Sequence, residues 1–130
     1  MQTCHRKLSL AGRTLIAVML GVSGLAKYAS IDFTAGYVAS EGLPLDTPYA
    51  LLLGSLELAL GVAIGAGFKL RASALLAAVY LFALNLALHR FLSVAPEFQF
   101  AQQILFMKNL SIIGGLLFVA GSGSPERRPR

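Results

Sequence analysis

An all-α integral membrane protein, a bundle of four transmembrane helices in a single domain spanning residues 1–130, is the fold this sequence predicts. Three observations carry that expectation. Of the 130 residues, 56% are hydrophobic and only 13% charged, against ~45–50% and ~25% in soluble domains. Mean hydropathy is +0.70, which also excludes intrinsic disorder, a state of low hydrophobicity and high charge. The apolar residues fall into four runs, each near the about 20 residues that a helix needs to cross a ~30 Å hydrocarbon layer.

The first run covers residues 10–30, with no charge between Thr14 and Ala26. A cleaved signal peptide is its competing reading, since Arg6 and Lys7 precede an apolar stretch. No A-x-A site follows, and Lys27 and Tyr28 stand where small neutral residues are needed. Residues 31–48 are the one long connection. Phe33, Tyr37, Val38 and Leu43 share roughly one side there, Asp32 suits an N-cap, and Gly42 with Pro44 would end the segment. These features predict a short interfacial helix between the first two spans, or else a plain connector with aromatic anchors. The second span, 49–68, is interrupted once by Glu57, and a tight turn at Gly67 to Arg71 leads into the third, 72–92. The fourth, 98–120, carries one charge, Lys108, and a flexible basic tail follows at 121–130.

Charge placement gives an orientation. Eight of the eleven Lys and Arg residues lie in the N-terminal flank, the turn between the second and third spans, and the tail. Lys27, Arg90 and Lys108 remain on the other side. The bias of Lys and Arg toward the cytoplasmic face therefore predicts cytoplasmic N and C termini, in a bacterial inner membrane. The same asymmetry accounts for the net charge of +5. Nucleic-acid binding, the usual alternative for a basic chain, lacks a basic stripe with interleaved aromatics; the partner expected is the lipid bilayer.

Ionisable groups inside a bilayer cost ~2.5–3.5 kcal/mol each near the helix centre, so their positions matter. With the orientation above, Ser23 and Lys27 lie four apart near the outer end of the first span. Glu57 is eight residues into the second, roughly 12 Å deep at 1.5 Å per residue. Asn85 and His89 lie in the outer half of the third, and Gln102, Gln103, Lys108 and Asn109 at similar depth in the fourth. The polar groups thus cluster toward one end. Glu57 is expected to pair with Lys108, with Lys27 as the competitor, since either would offset the desolvation of a buried carboxylate. Such a pair can serve helix register alone; Asn85, His89 and Asn109 exceed what an ion pair needs. Gly54, Glu57, Gly61 and Gly65 form one small-residue stripe, supported by Gly21, Gly24, Gly114 and Gly115, which predicts close helix packing around Glu57.

Several chemistries are excluded by composition. The single cysteine, Cys4, cannot support disulfide exchange, an iron–sulfur cluster or c-type haem attachment. His89 is the only histidine near a span, and a site made of His89 and Glu57 would leave a metal under-liganded; no metal is expected. Neither a Walker A nor a G-x-G-x-x-G motif occurs. Ser23 and His89 have no free third carboxylate for a triad. Binding of a polar head group at membrane depth, or proton movement through Glu57, is what remains.

Read in order, Ser23-Gly24 with Lys27, Gly42-Leu43-Pro44, Glu57, Arg71-Ala72, His89, Lys108-Asn109 and Gly114-Gly115 resemble the DoxX family of small four-helix bacterial membrane proteins. The resemblance covers about residues 10 to 120. It implies a membrane component of an oxidoreductase system, of the kind associated with thiosulfate:quinone oxidoreductase, with family positions at Lys27, Glu57, His89 and Lys108. On that basis Glu57 and His89 form the candidate catalytic pair, moving protons, with imidazole suited by its ordinary pKa near neutrality. Ser23, Lys27, Asn85, Lys108 and Asn109 form the candidate substrate-binding set. The implied ligand is a quinone, with no intrinsic cofactor; electrons would come from a soluble or membrane redox partner subunit, and a homo-oligomer stays open. A non-catalytic anchor or assembly subunit is the near alternative, with a proton-coupled small transporter behind it.

Overall fold

The computed structural model describes residues 2–40 and 47–122, with the side chains of Gln2, Tyr37 and Val38 left aside. It contains five helices among these residues: α1 (Gln2–Ala29), α2 (Ile31–Ser40), α3 (Thr47–Ala66), α4 (Leu70–Leu88) and α5 (Pro96–Ser122). Four of them, all but α2, are long and apolar enough to cross a membrane. The predicted all-α bundle is therefore the fold. The predicted stop at Gly42 and Pro44, and the tail from residue 123 onward, lie outside the described residues.

Element ends depart from the hydropathy boundaries for local reasons. Helix α1 begins well before residue 10, because charges end an apolar run without ending a helix and no Gly or Pro precedes Gly12. Ser30 then forms a one-residue corner. Its N–H donates to Ala26 O at 3.0 Å, closing α1, and its carbonyl accepts from the Thr34 N–H at 2.9 Å, opening α2. Asp32 accordingly sits inside the first turn of α2 and not at its cap; a carboxylate there still complements the positive end of the helix.

The turn between α3 and α4 is as tight as expected. Gly67 (φ 75°) and Lys69 (φ 39°) both adopt left-handed backbone, a conformation common for glycine and strained for lysine. Helix α4 stops at Leu88, short of the expected 92. The His89 N–H closes it on Asn85 O at 3.1 Å, and Phe91 folds back onto Phe106 of α5, ring centroids 5.5 Å apart at 69°. The apolar Phe91 thus serves the corner and not another turn of helix. Pro96 opens α5, a position where its missing N–H costs nothing.

The bundle is two tight helix pairs joined through their middle members. Helix α1 lies chiefly on α3 and α5 chiefly on α4, α3 meets α4, and α1 touches α5 only lightly; α2 rests mainly on α3. Glycine makes the α1–α3 contact. A Cβ on Gly24 would stand 2.8 Å from Gly54 O and 2.9 Å from Leu58 N, so the backbones cross with no room for a methyl group. A Cβ on Gly61 would be 3.0 Å from Ala17 O and from Gly21 N. The expected packing role thus belongs to Gly24, Gly54 and Gly61; Gly114 faces open space and Gly115 only approaches Ile16.

The apolar core sits toward the α3–α4 turn. Leu20, Leu60, Ile64, Ala77, Leu81 and Leu116 are among its buried members. Large apolar side chains such as Leu15, Val18, Val62, Val79 and Phe118 point outward, the surface a bilayer covers. Only Glu57 and Asn85 are buried polar residues among those described, and both lie toward the opposite end of the bundle.

Candidate functional site

Glu57 organises that opposite end. Helix α3 carries it on the same face as Gly54 and Gly61, three and four residues away, so the close α1–α3 crossing sets it against α1. The residue is 2% exposed. Oε2 accepts from Lys27 Nζ at 2.7 Å, and Lys27 Nζ also donates to Ser23 Oγ, one helical turn earlier, at 3.1 Å. Oε1 accepts from Tyr80 Oη on α4 at 3.1 Å. A carboxylate removed from water thus has a cation on one oxygen and a hydroxyl on the other.

The expected pairing of Glu57 with Lys108 is corrected by this arrangement: the partner is Lys27. The reason lies in the helix contacts. The glycine crossing brings the α1 backbone against α3, and the Lys27 Cβ approaches to 3.3 Å of where a Gly54 Cβ would stand. Lys108 belongs to α5, which packs on α4. It is exposed at the rim of the site.

A cavity of about 380 Å³ gathers Ser23, Lys27, Glu57, His89, Lys108 and Asn109. Its remaining lining is apolar side chains of α1, α4 and α5, including Val22, Leu84 and Leu105. Six of the seven candidate residues therefore meet at one place, although they come from three helices, α1, α3 and α5, and from the C-terminal cap of α4. The cavity lies where α1 and α5 barely touch, so its walls are the two tight pairs and its weak side is the gap between them.

Asn85 is the exception. It is 1% exposed and clasps α4 to α5, its Nδ2 donating to Phe106 O at 3.1 Å and its Oδ1 accepting from Asn109 Nδ2 at 3.3 Å. It orients Asn109 at the cavity wall and lines a neighbouring pocket of about 310 Å³ instead. His89 borders both spaces. Its Nδ1 lies 3.0 Å from Gln102 Oε1; with Nδ1 protonated and donating there, Nε2 keeps its lone pair.

Two participants escaped the sequence reading. Tyr80 sits in an apolar run, where a tyrosine reads as one more aromatic packing residue, and only the three-dimensional approach of α3 and α4 reveals its hydroxyl on Glu57. Gln102 is at the right depth by sequence, yet nothing in the spacing pairs it with His89, thirteen residues away across a corner. Among the described residues no group of three or more His, Cys, Asp or Glu side chains could hold a metal ion.

The sequence pattern of the DoxX family matches residues 8–90. That stretch holds Ser23, Lys27, Glu57, Tyr80 and His89. The chain is also similar to an inner membrane protein, YphA, of Escherichia coli strain K12, with 28% identity over 116 residues, covering 89% of this chain and 83% of that protein. No solved structure matches.

Proposed function

The chain belongs to the DoxX family, and from that premise we propose that this multi-pass membrane protein is a component of an oxidoreductase system, binding a quinone or similar amphipathic redox molecule by its head in the cavity around Glu57. The observation that carries the reading is the cavity itself: an ammonium, a carboxylate, an imidazole and a carboxamide converge at one end of a bundle that is otherwise apolar, on the side where α1 and α5 part. A quinone is an apolar tail with a ring bearing two carbonyl acceptors. Its ring would find donors in Lys108 and the Asn109 amide, and its tail could leave through the α1–α5 gap into lipid without crossing a polar surface.

In this reading Glu57 and His89 are the proton-handling groups. The Tyr80–Glu57–Lys27–Ser23 chain holds the carboxylate in a fixed place, and Gln102 fixes the imidazole. Ser23 and Lys27 act through Glu57, while Asn85 acts through Asn109. The chain has no redox centre in its residues, so a partner subunit supplies or removes the electrons. We place the protein in a bacterial inner membrane with both termini cytoplasmic; the inner-membrane location of the similar E. coli protein supports the first part and the Lys/Arg asymmetry the second.

A second reading, a non-catalytic anchor or assembly subunit, is favoured by one observation. Lys27 and Tyr80 each take one oxygen of Glu57, as in a purely structural ion pair. The two readings separate under mutation. The protein purified in mild detergent should carry a bound quinone detectable by mass spectrometry. Glu57→Gln and His89→Ala should each lower quinone binding at least about tenfold while the chain still folds. Full retention of binding and of redox turnover in both variants sinks the quinone reading; loss of a co-purifying partner instead supports the anchor.

A further inference from the structure

Among the described residues, Lys108 is the one ionic group lining the cavity without a counterpart. Lys27 is neutralised by Glu57 at 2.7 Å. His89 meets Gln102, and Asn109 meets Asn85. Among the described residues no hydrogen bond or ion pair reaches the Lys108 ammonium. It stands twelve residues after Pro96 and fourteen before Ser122, about 18 Å and 21 Å along the axis from the two ends of α5. Lysines near helix ends reach back to the interface; a lysine in the middle of a span is far from both and faces the bilayer or the cavity. Among the described lining residues, two ammonium groups, Lys27 and Lys108, thus stand against one carboxylate, Glu57.

An uncompensated ammonium at this depth is costly; a neutral acceptor relieves part of that cost by a hydrogen bond, and an ionised oxygen relieves more by cancelling the charge. We infer that the ligand's head carries one ionised oxygen, which pairs with Lys108 while the Asn109 amide and His89 hold its neighbouring polar atoms. This rests on the binding reading above and narrows it. Among quinones it selects those with an acidic ring hydroxyl, or the hydroquinone as its monoanion; outside quinones, the same chemistry is that of a fatty carboxylate. Selectivity comes from the same asymmetry. Lys27, already held by Glu57 and Ser23, offers a second anion little, so the charge preference belongs to Lys108 alone.

Equilibrium dialysis of the full chain in a neutral detergent tests this with three probes. They are an alkylated hydroxynaphthoquinone, ionised at neutral pH; its uncharged methyl ether; and dodecanoate. The ionised quinone should bind at least about tenfold tighter than its ether, the ratio expected of one close charge pair at low dielectric. Lys108→Gln should bring the ratio to about one, and Lys108→Arg should keep it. Dodecanoate binding with the same Lys108 dependence places carboxylate amphipaths within the class, and its failure to bind confines the class to ring-bearing anions. Equal affinity for ionised quinone and ether in the native chain, or a preference that survives Lys108→Gln, overturns the inference and leaves the cavity reading standing. Binding of none of the three overturns both.

Discussion

The residue that decides most is Glu57, because a carboxylate on a residue 2% exposed in a lipid-facing bundle is tolerable only with partners. It has two, Lys27 and Tyr80, and their roles separate by mutation. Removing Lys27 leaves a buried anion without its cation, and breaking one side of a buried pair costs about 3–5 kcal/mol. Lys27→Met should therefore lower thermal stability in detergent sharply. The double variant Lys27→Met with Glu57→Gln should recover most of that loss, because it has no stranded charge. A double variant as unstable as Lys27→Met alone would mean that the pair contributes packing and not charge compensation. At this scale the sequence was legible in kind and less so in pairing. Residue type and depth marked Ser23, Lys27, Glu57, His89, Lys108 and Asn109, and the structure gathers all six around one cavity. Spacing along one chain could not say whether Lys27 or Lys108 meets Glu57, because that choice is made by which helices touch.

That choice is made by glycine at the scale of the element. Helices α1 and α3 approach until the Gly24 and Gly54 backbones nearly meet, and this sets Lys27 and Glu57 at one level. Gly24→Ala would place a methyl group 2.8 Å from a carbonyl oxygen and 2.9 Å from an amide nitrogen, neither of which can rotate away. The helices must separate, at a cost of about 1–3 kcal/mol, and the Lys27–Glu57 contact lengthens with them. Gly114→Ala is the matched control, since nothing lies within 4 Å of its added Cβ. Thermal unfolding and quinone binding should both fall for Gly24→Ala and hold for Gly114→Ala; equal behaviour of the two would remove the crossing from the account. The glycine stripe of α3 was visible in the sequence as a period of three and four, whereas the idle Gly114 looked no different from Gly54. Small residues announce that something can come close, and only the packing says whether it does. Element ends were blurred for a related reason. Hydropathy reports where charge begins, while the ends of α1 and α4 are set by backbone hydrogen bonds, by the Ser30 corner and by Phe91 folding onto Phe106.

Across the whole molecule, polar and apolar chemistry are separated end to end: the core lies toward the α3–α4 turn and the cavity toward the α4–α5 loop. Under the proposed function, the direction of that axis in the membrane decides which aqueous compartment would supply protons to Glu57 and His89, and on which side a partner would dock. The proposed orientation puts the cavity toward the outside, since Arg13, Lys69 and Arg71 collect near the opposite end while the 89–95 segment carries only Arg90 as a fixed cation. The chain offers its own probe. Cys4 is its single cysteine and is exposed near the start of α1. In intact spheroplasts a membrane-impermeant maleimide should leave Cys4 unmodified and label it once the membrane is opened. In a Cys4→Ser background, Ser93→Cys, on the exposed α4–α5 segment, should label without opening. The reverse pattern would turn the cavity toward the cytoplasm, and the proposed quinone would then exchange protons and electrons with cytoplasmic partners. The fold and the cavity would survive that result, because both follow from helix contacts alone; the direction of the chemistry would not, because only the Lys and Arg asymmetry sets it.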